Sequence, residues 1–162
     1  MRIDQDLHAL ASELGRAAAA REITIATAES CTGGLLAGAI TAVAGSSEWF
    51  DRGFVTYSNR AKVEALGVDP ATIERHGAVS GETARAMADG ARVASGAQWA
   101  VAVTGVAGPA GGSPDKPVGT VWFAWAGPSG TETLHQRLDG DRTEVRAASV
   151  RIALEGLVGR LA

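Results

Sequence analysis

The segment Ala28-Glu29-Ser30-Cys31-Thr32-Gly33-Gly34 joins a β-type run, Ile23-Thr24-Ile25-Ala26-Thr27, to small and apolar residues from Leu35 to Ala44. A serine placed where a strand turns into a helix stands on a sharp bend beside the unpaired N–H groups of the first helical turn. Those groups carry partial positive charge and can hold an oxyanion or a phosphate. Ser30 is therefore a candidate nucleophile with electrophilic support from its own segment, which is the chemistry of acyl transfer. The placement follows the logic of the nucleophile elbow, although its Gly-x-Ser-x-Gly pattern is absent. A plainer role, a serine that caps the helix, fits the same spacing.

An alcohol is a weak nucleophile near neutral pH and needs a base. Of the three histidines, His8 falls on a polar helix face and His135 on an edge hairpin. Only His76, in a turn before Gly77, stays open for a Ser-His-Asp arrangement. Lys62 is the better candidate, five residues after Tyr57 and just beyond the β-type run Gly53-Phe54-Val55-Thr56-Tyr57-Ser58. If the two runs are parallel neighbours, their carboxyl ends bring Ser30, Tyr57 and Lys62 to one rim, where open α/β sheets bind ligands. Lys62 must be neutral to accept a proton, which requires burial or nearby positive charge. Tyr57 would relay the proton or orient Lys62, and spacing does not decide which of the two is the base. The plainer readings are a solvated lysine, a packed strand aromatic and, for Cys31, an inert buried thiol.

A glycine-rich loop, Thr104-Gly105-Val106-Ala107-Gly108-Pro109-Ala110-Gly111-Gly112, follows the apolar run Trp99 to Val103 and falls on the same rim. Backbone N–H groups in such loops make anion nests, and Thr104 adds a hydroxyl. Arg142, near the start of the last helix, has the planar fork that suits phosphate. No Walker pattern occurs, and no clustered ligands suggest zinc. A merely flexible loop and a surface arginine are the plainer alternatives.

These residues need a frame. Leu7, Leu10, Ala11, Leu14 and Ala18 recur at helical spacing, predicting a helix over 4–20 capped by Asp4 or Asp6. A strand over 22–28 follows, then the Ser30 turn and a helix to about residue 44, apolar almost all round and so expected to be buried. Asn59 is a cap for a short helix running through Lys62 to Leu66, and Gly67-Val68-Asp69-Pro70 reads as a turn. Ser80 caps a helix from Gly81 to Ser95. Trp99 to Val103 is a strand covered on both faces. Val118 to Ala126 is another strand, and after Gly127-Pro128-Ser129-Gly130 the chain returns over 132–138 as its antiparallel partner. The last helix starts near Asp141, with Glu144 completing a near capping box and Val145, Ala148, Ile152 and Leu157 on its apolar face. Alternating helices and strands with a late antiparallel hairpin predict a single α/β domain over 1–162. Its architecture is a three-layer α/β/α sandwich with a mixed, mostly parallel sheet.

Composition narrows the classes. The chain has 162 residues, 46% of them hydrophobic, which suits one packed domain. A net charge of −3 without a basic cluster gives no reason to expect nucleic acid. One cysteine excludes an intrachain disulfide and fits a reducing compartment. The polar start Met1-Arg2-Ile3-Asp4-Gln5-Asp6 is unlike a signal peptide, and no uncharged run is long enough to span a membrane. A cytoplasmic protein is the expectation.

Five ordered motifs carry a resemblance. They are Thr27-Ala28-Glu29-Ser30-Cys31-Thr32-Gly33-Gly34, Val55-Thr56-Tyr57-Ser58-Asn59, His76-Gly77-Ala78-Val79-Ser80, Thr104-Gly105-Val106-Ala107-Gly108-Pro109 and Lys116-Pro117-Val118-Gly119-Thr120-Val121. From roughly residue 5 to the end the chain resembles the CinA C-terminal domain family of competence/damage-inducible proteins. The resemblance implies nicotinamide-nucleotide amidase activity, which converts nicotinamide mononucleotide to nicotinate mononucleotide and ammonia. It implies a small-molecule nucleotide as partner, no cofactor, no metal and a homo-oligomer. It also implies catalytic roles for Ser30 as nucleophile with Tyr57 and Lys62 as partners. The chain looks like the form without the additional N-terminal domain of larger members.

On that resemblance, N–H groups around Thr32, Gly33 and Gly34 would support the oxyanion. Thr104, Gly105, Gly108 and Arg142 would hold the ribose phosphate, unless the loop serves the nicotinamide ring instead. Two other functions compete. One is a non-enzymic module that binds a nucleotide or protein in a competence or DNA-damage response. The other is a serine hydrolase acting on a different amide. A Ser-x-x-Lys reading fails, because residue 33 is glycine.

Overall fold

The computed structural model describes residues 4–162; Met1, Arg2 and Ile3, part of the polar start, lie outside them. Helix α1 spans Gln5–Ala20 and is capped by the Asp4 side chain, which accepts from the Asp6 N–H. Strand β1, Ile25–Glu29, is buried along its whole length. Helix α2 is Leu35–Thr41, β2 is Phe50–Val55 and α3 is Asn59–Leu66. Helix α4, Pro70–His76, leads to α5, Gly81–Ser95. Strands β3, Trp99–Gly105, β4, Thr120–Gly127, and β5, Gly130–Arg137, precede the last helix, α6, Arg142–Leu161.

The five strands form one mixed sheet in the order β2-β1-β3-β4-β5. β1 pairs in parallel with both β2 and β3, whereas β3–β4 and β4–β5 are antiparallel. Helices cover both faces, so the sandwich has three layers. One face packs against α1, α2 and α6, with Ile25, Val101, Val103, Phe123 and Trp125 meeting Leu14, Leu36, Leu154 and Leu157. Each such leucine, fully buried, contributes about 1.5–3 kcal/mol. The other face is lined by alanines, among them Ala26, Ala28, Ala100, Ala102 and Ala124. Those small side chains let α5 lie close, through Ala84, Met87, Ala88 and Ala91.

Most elements stand where the sequence places them, and three departures have physical reasons. Helix α2 ends at Thr41 rather than near residue 44, and it is only half covered: Leu36, Ala39 and Ile40 are buried while Thr41 is exposed. Its alanines and glycine are apolar enough to suggest burial without needing it. Helix α3 is capped by Ser58, whose hydroxyl accepts from the Ala61 N–H, and not by Asn59, which is already helical. The segment read as a turn at 67–70 starts a further helix, α4, with Asp69 as cap and Pro70 in its first turn.

Candidate active site

The carboxyl ends of β1, β2 and β3 open onto a cavity of about 190 Å³. Ser30, Cys31, Lys62, Thr104 and Gly105 line its floor, with Tyr57 and Arg142 also on its wall. Ser30 follows β1 directly, and its own N–H donates to the Val103 carbonyl of β3 at 3.0 Å. The next strand end is tied in the same way, through the Thr56 N–H and the Glu29 carbonyl at 2.8 Å. Parallel pairing therefore brings the serine and the residues after β2 to one rim.

Lys62 reaches in from the first turn of α3. Its ammonium nitrogen lies 3.0 Å from Ser30 Oγ, 2.9 Å from the Thr56 carbonyl and 3.4 Å from the Tyr57 carbonyl. The residue is 1% exposed, a very unusual state for a lysine. Burial lowers its pKa from the ordinary lysine value, opposed in small part by the Cys31 thiol. A neutral amine donates to the two carbonyls and accepts from the Ser30 hydroxyl, so the geometry suits a base beside an alcohol.

Cys31 beside it is buried, and burial pushes its thiol up to about 11. It is the inert thiol of the plainer reading. Tyr57 is different from expectation. It is 62% exposed, and its hydroxyl meets Arg142 Nη2 at 3.2 Å; its contact with Lys62 runs through the backbone carbonyl alone. Arg142 also donates from Nη1 to the Gly108 carbonyl at 2.9 Å, so it bridges the tyrosine and the glycine-rich loop across the mouth. A second cavity of about 420 Å³, lined by Pro109, Val118 and Thr143, shares Ala107 and Arg142 with the first. Gly108 takes a positive φ of 80°, which glycine adopts without strain.

Thr32, Gly33 and Gly34 are placed elsewhere. They do not line the cavity, and the Thr32 hydroxyl and the Gly33 and Gly34 N–H groups are engaged inside the protein. The Gly33 N–H donates to the Ser30 carbonyl, the Gly34 N–H to Glu29 Oε1, and the Thr32 hydroxyl to the same oxygen at 2.7 Å. The oxyanion donors expected at Gly33 and Gly34 are thus already used. The acceptor responsible, Glu29, went unnoticed in the sequence, where a charged residue at a strand end suggests a solvated terminus. So did Arg146, which holds the Cys31 and Thr32 carbonyls from α6, and Lys116, whose ammonium holds the His76 carbonyl at 2.6 Å. Together with Thr104, which donates to the Ala78 carbonyl, Lys116 fixes the 76–80 segment that walls the cavity. No histidine lines that cavity; His76 instead faces Glu82 and His135 stacks on Trp122. Among the described residues no three His, Cys, Asp or Glu side chains cluster as a metal would need, and no helix is long and apolar enough to cross a membrane.

Comparison with known proteins places this geometry among relatives. The family model described as "CinA C-terminal domain" matches residues 7–161. The nicotinamide-nucleotide amidohydrolase PncC of Enterobacter agglomerans is 53% identical over 153 residues, covering 94% of this chain and 93% of that protein. The protein of the same name from Escherichia coli K12 is 50% identical over 155 residues, covering 95% and 94%. A crystal structure of a competence-damaged protein (CinA) superfamily protein from Klebsiella pneumoniae superposes with a TM-score of 0.93 at 42% identity, over 97% of this chain and 98% of that one.

Proposed function

The chain belongs to the CinA C-terminal domain family, and from that premise we propose that it hydrolyses the carboxamide of nicotinamide mononucleotide through Ser30. The relatives named for that activity supply the substrate. The observation that carries the mechanism is the contact of Lys62 Nζ with Ser30 Oγ at 3.0 Å, in a site where burial favours the neutral amine.

Ser30 Oγ attacks the amide carbon while its proton passes to Lys62. The C–N bond of the tetrahedral intermediate then breaks, and Lys62 returns the proton to the departing nitrogen, which leaves as ammonia. Water attacks the resulting ester, gives a proton to Lys62 and releases the carboxylate, and that proton restores the Ser30 hydroxyl. With the Gly33 and Gly34 N–H groups occupied and Thr32 outside the cavity, the backbone N–H of Cys31, which lines it, is the nearest remaining donor along the chain for the oxyanion. Arg142, exposed at the mouth beside Gly108 and Thr104, is the cation available to the ribose phosphate. Tyr57 acts at the entrance, as the partner that Arg142 releases when phosphate arrives.

The test is ammonia release from nicotinamide mononucleotide by the wild type and by Ser30→Ala. Turnover that disappears in the variant supports the reading. Turnover that survives removes Ser30 from the chemistry. Tight nucleotide binding without turnover by the wild type favours the non-enzymic module.

A further inference from the structure

We propose that Glu29 is a positioning residue for the Ser30 nucleophile, holding both ends of the turn on which the serine stands; this rests on the amidase reading above. Its backbone lies in β1, paired with β2 and β3. Its side chain is fully buried and accepts four hydrogen bonds, one from within the turn and three from beyond it. Oε1 accepts from the Thr32 hydroxyl at 2.7 Å, the Gly34 N–H at 3.2 Å and the Leu36 N–H at 2.8 Å. Oε2 accepts from the Ala37 N–H at 3.0 Å.

All four partners donate, which suits an ionised carboxylate, a group that only accepts. Helix α2 has no local cap, since Gly34 at its cap position lacks a side chain. The acceptor comes instead from the far side of residues 30–33. One residue thus grips the turn at its start through the strand and at its finish through the helix. Charge-assisted bonds of this kind are shorter and stronger than neutral ones, and they tie Ser30 to the frame in which Lys62 lies. The same bonds keep substrate away from these N–H groups, so the first turn of α2 orients the nucleophile and binds no anion.

The experiment compares kcat and KM for nicotinamide mononucleotide in the wild type, Glu29→Gln and Glu29→Met. Glutamine keeps an acceptor oxygen at the same reach, while methionine keeps only the length. Misplacement of a reacting group by about 1 Å costs on the order of 100-fold. Glu29→Met is therefore expected to lose roughly 100-fold in kcat with KM within about 3-fold, and Glu29→Gln to recover most of that loss. A folded Glu29→Met with wild-type kcat, or a loss that falls on KM alone, overturns the proposal. Should Glu29→Met fail to fold, Thr32→Val and Thr32→Ser remove and restore one of the four bonds; a kcat lost in the first and regained in the second supports positioning, and wild-type kcat in both overturns it. Labelling of Ser30 by a fluorophosphonate, mapped by mass spectrometry, separates the two readings. If the wild type labels at Ser30 without hydrolysing the nucleotide, the substrate reading fails, and slower labelling in Glu29→Met still supports positioning while equal labelling overturns it. If the wild type neither hydrolyses nor labels, both readings fail.

Discussion

Lys62 Nζ sits 3.0 Å from Ser30 Oγ, and its other two partners are backbone carbonyls. Among the described residues no carboxylate forms an ion pair with it. A buried lysine without an acid beside it tends to shed its proton, because desolvation penalises the charged form and the Cys31 thiol opposes this only in small part.

Activity follows from that protonation state. Lys62 has its pKa lowered below the ordinary lysine value, so kcat rises with pH as the amine becomes neutral and levels off above the lowered value. Lys62→Arg, which stays protonated throughout, is expected to lose about 10²–10⁴-fold in kcat. A pH–rate profile of the wild type, extended to pH 10, checks the shape; a flat profile removes Lys62 as base.

Stability carries the same signature with a definite sign. Between the lowered folded value and the ordinary lysine value of the unfolded chain, the unfolded state binds more protons. Stability therefore rises with pH across that window, and below it the burial penalty is fully felt. Lys62→Met removes both the slope and the penalty. It is expected to melt above the wild type at pH 7, by a margin that narrows as pH rises toward 10. Thermal melts of the two proteins from pH 6 to pH 10 decide the matter.

Cys31 lies beside Ser30 but has no reactive role. With its thiol pushed up to about 11 by burial, almost no thiolate exists at pH 8. Iodoacetamide at pH 8 should leave it unmodified in the folded protein and modify it readily in denaturant, and Cys31→Ala should keep kcat within about 3-fold. Rapid alkylation with loss of activity would contradict this.

The Tyr57 hydroxyl bonds to Arg142 and not to Lys62 or Ser30. Tyr57→Phe should therefore leave kcat within about 10-fold of the wild type, a far smaller effect than removing the base. The change should fall chiefly on KM, because Arg142 loses a partner at the mouth. Steady-state kinetics with the mononucleotide and with its dephosphorylated nucleoside separate the two effects: the nucleoside should not sense the substitution in KM.

Where the chain signals structure through local rules, the sequence was sufficient. Asp4, Ser80 and Asp141 all cap the helices expected of them, and Asp141 forms a full capping box with Glu144. The Ser30–Lys62 pair was legible because both lie just past strand ends that pairing brings together. Asp69-Pro70 was ambiguous by nature, since a cap followed by proline opens either a turn or a helix, and only packing of α4 against α5 decides it. Glu29 was not legible at all. Three of its four partners are backbone N–H groups, up to eight residues on, and backbone donors leave no mark in a sequence. Tyr57 was placed on the correct rim, but a residue's position in the chain does not tell which way its ring points.

Ser30 is fixed by a hydrogen bond to Val103, a residue that joins the sheet only after four intervening helices have been laid down. Helices can form early from local contacts, whereas pairing between distant strands must first meet the entropy of closing a long loop. Ser30 is accordingly expected to reach its final place late in folding. In a stopped-flow refolding experiment, ellipticity should return ahead of hydrolysis, and recovered turnover would time the zippering of β1 onto β3.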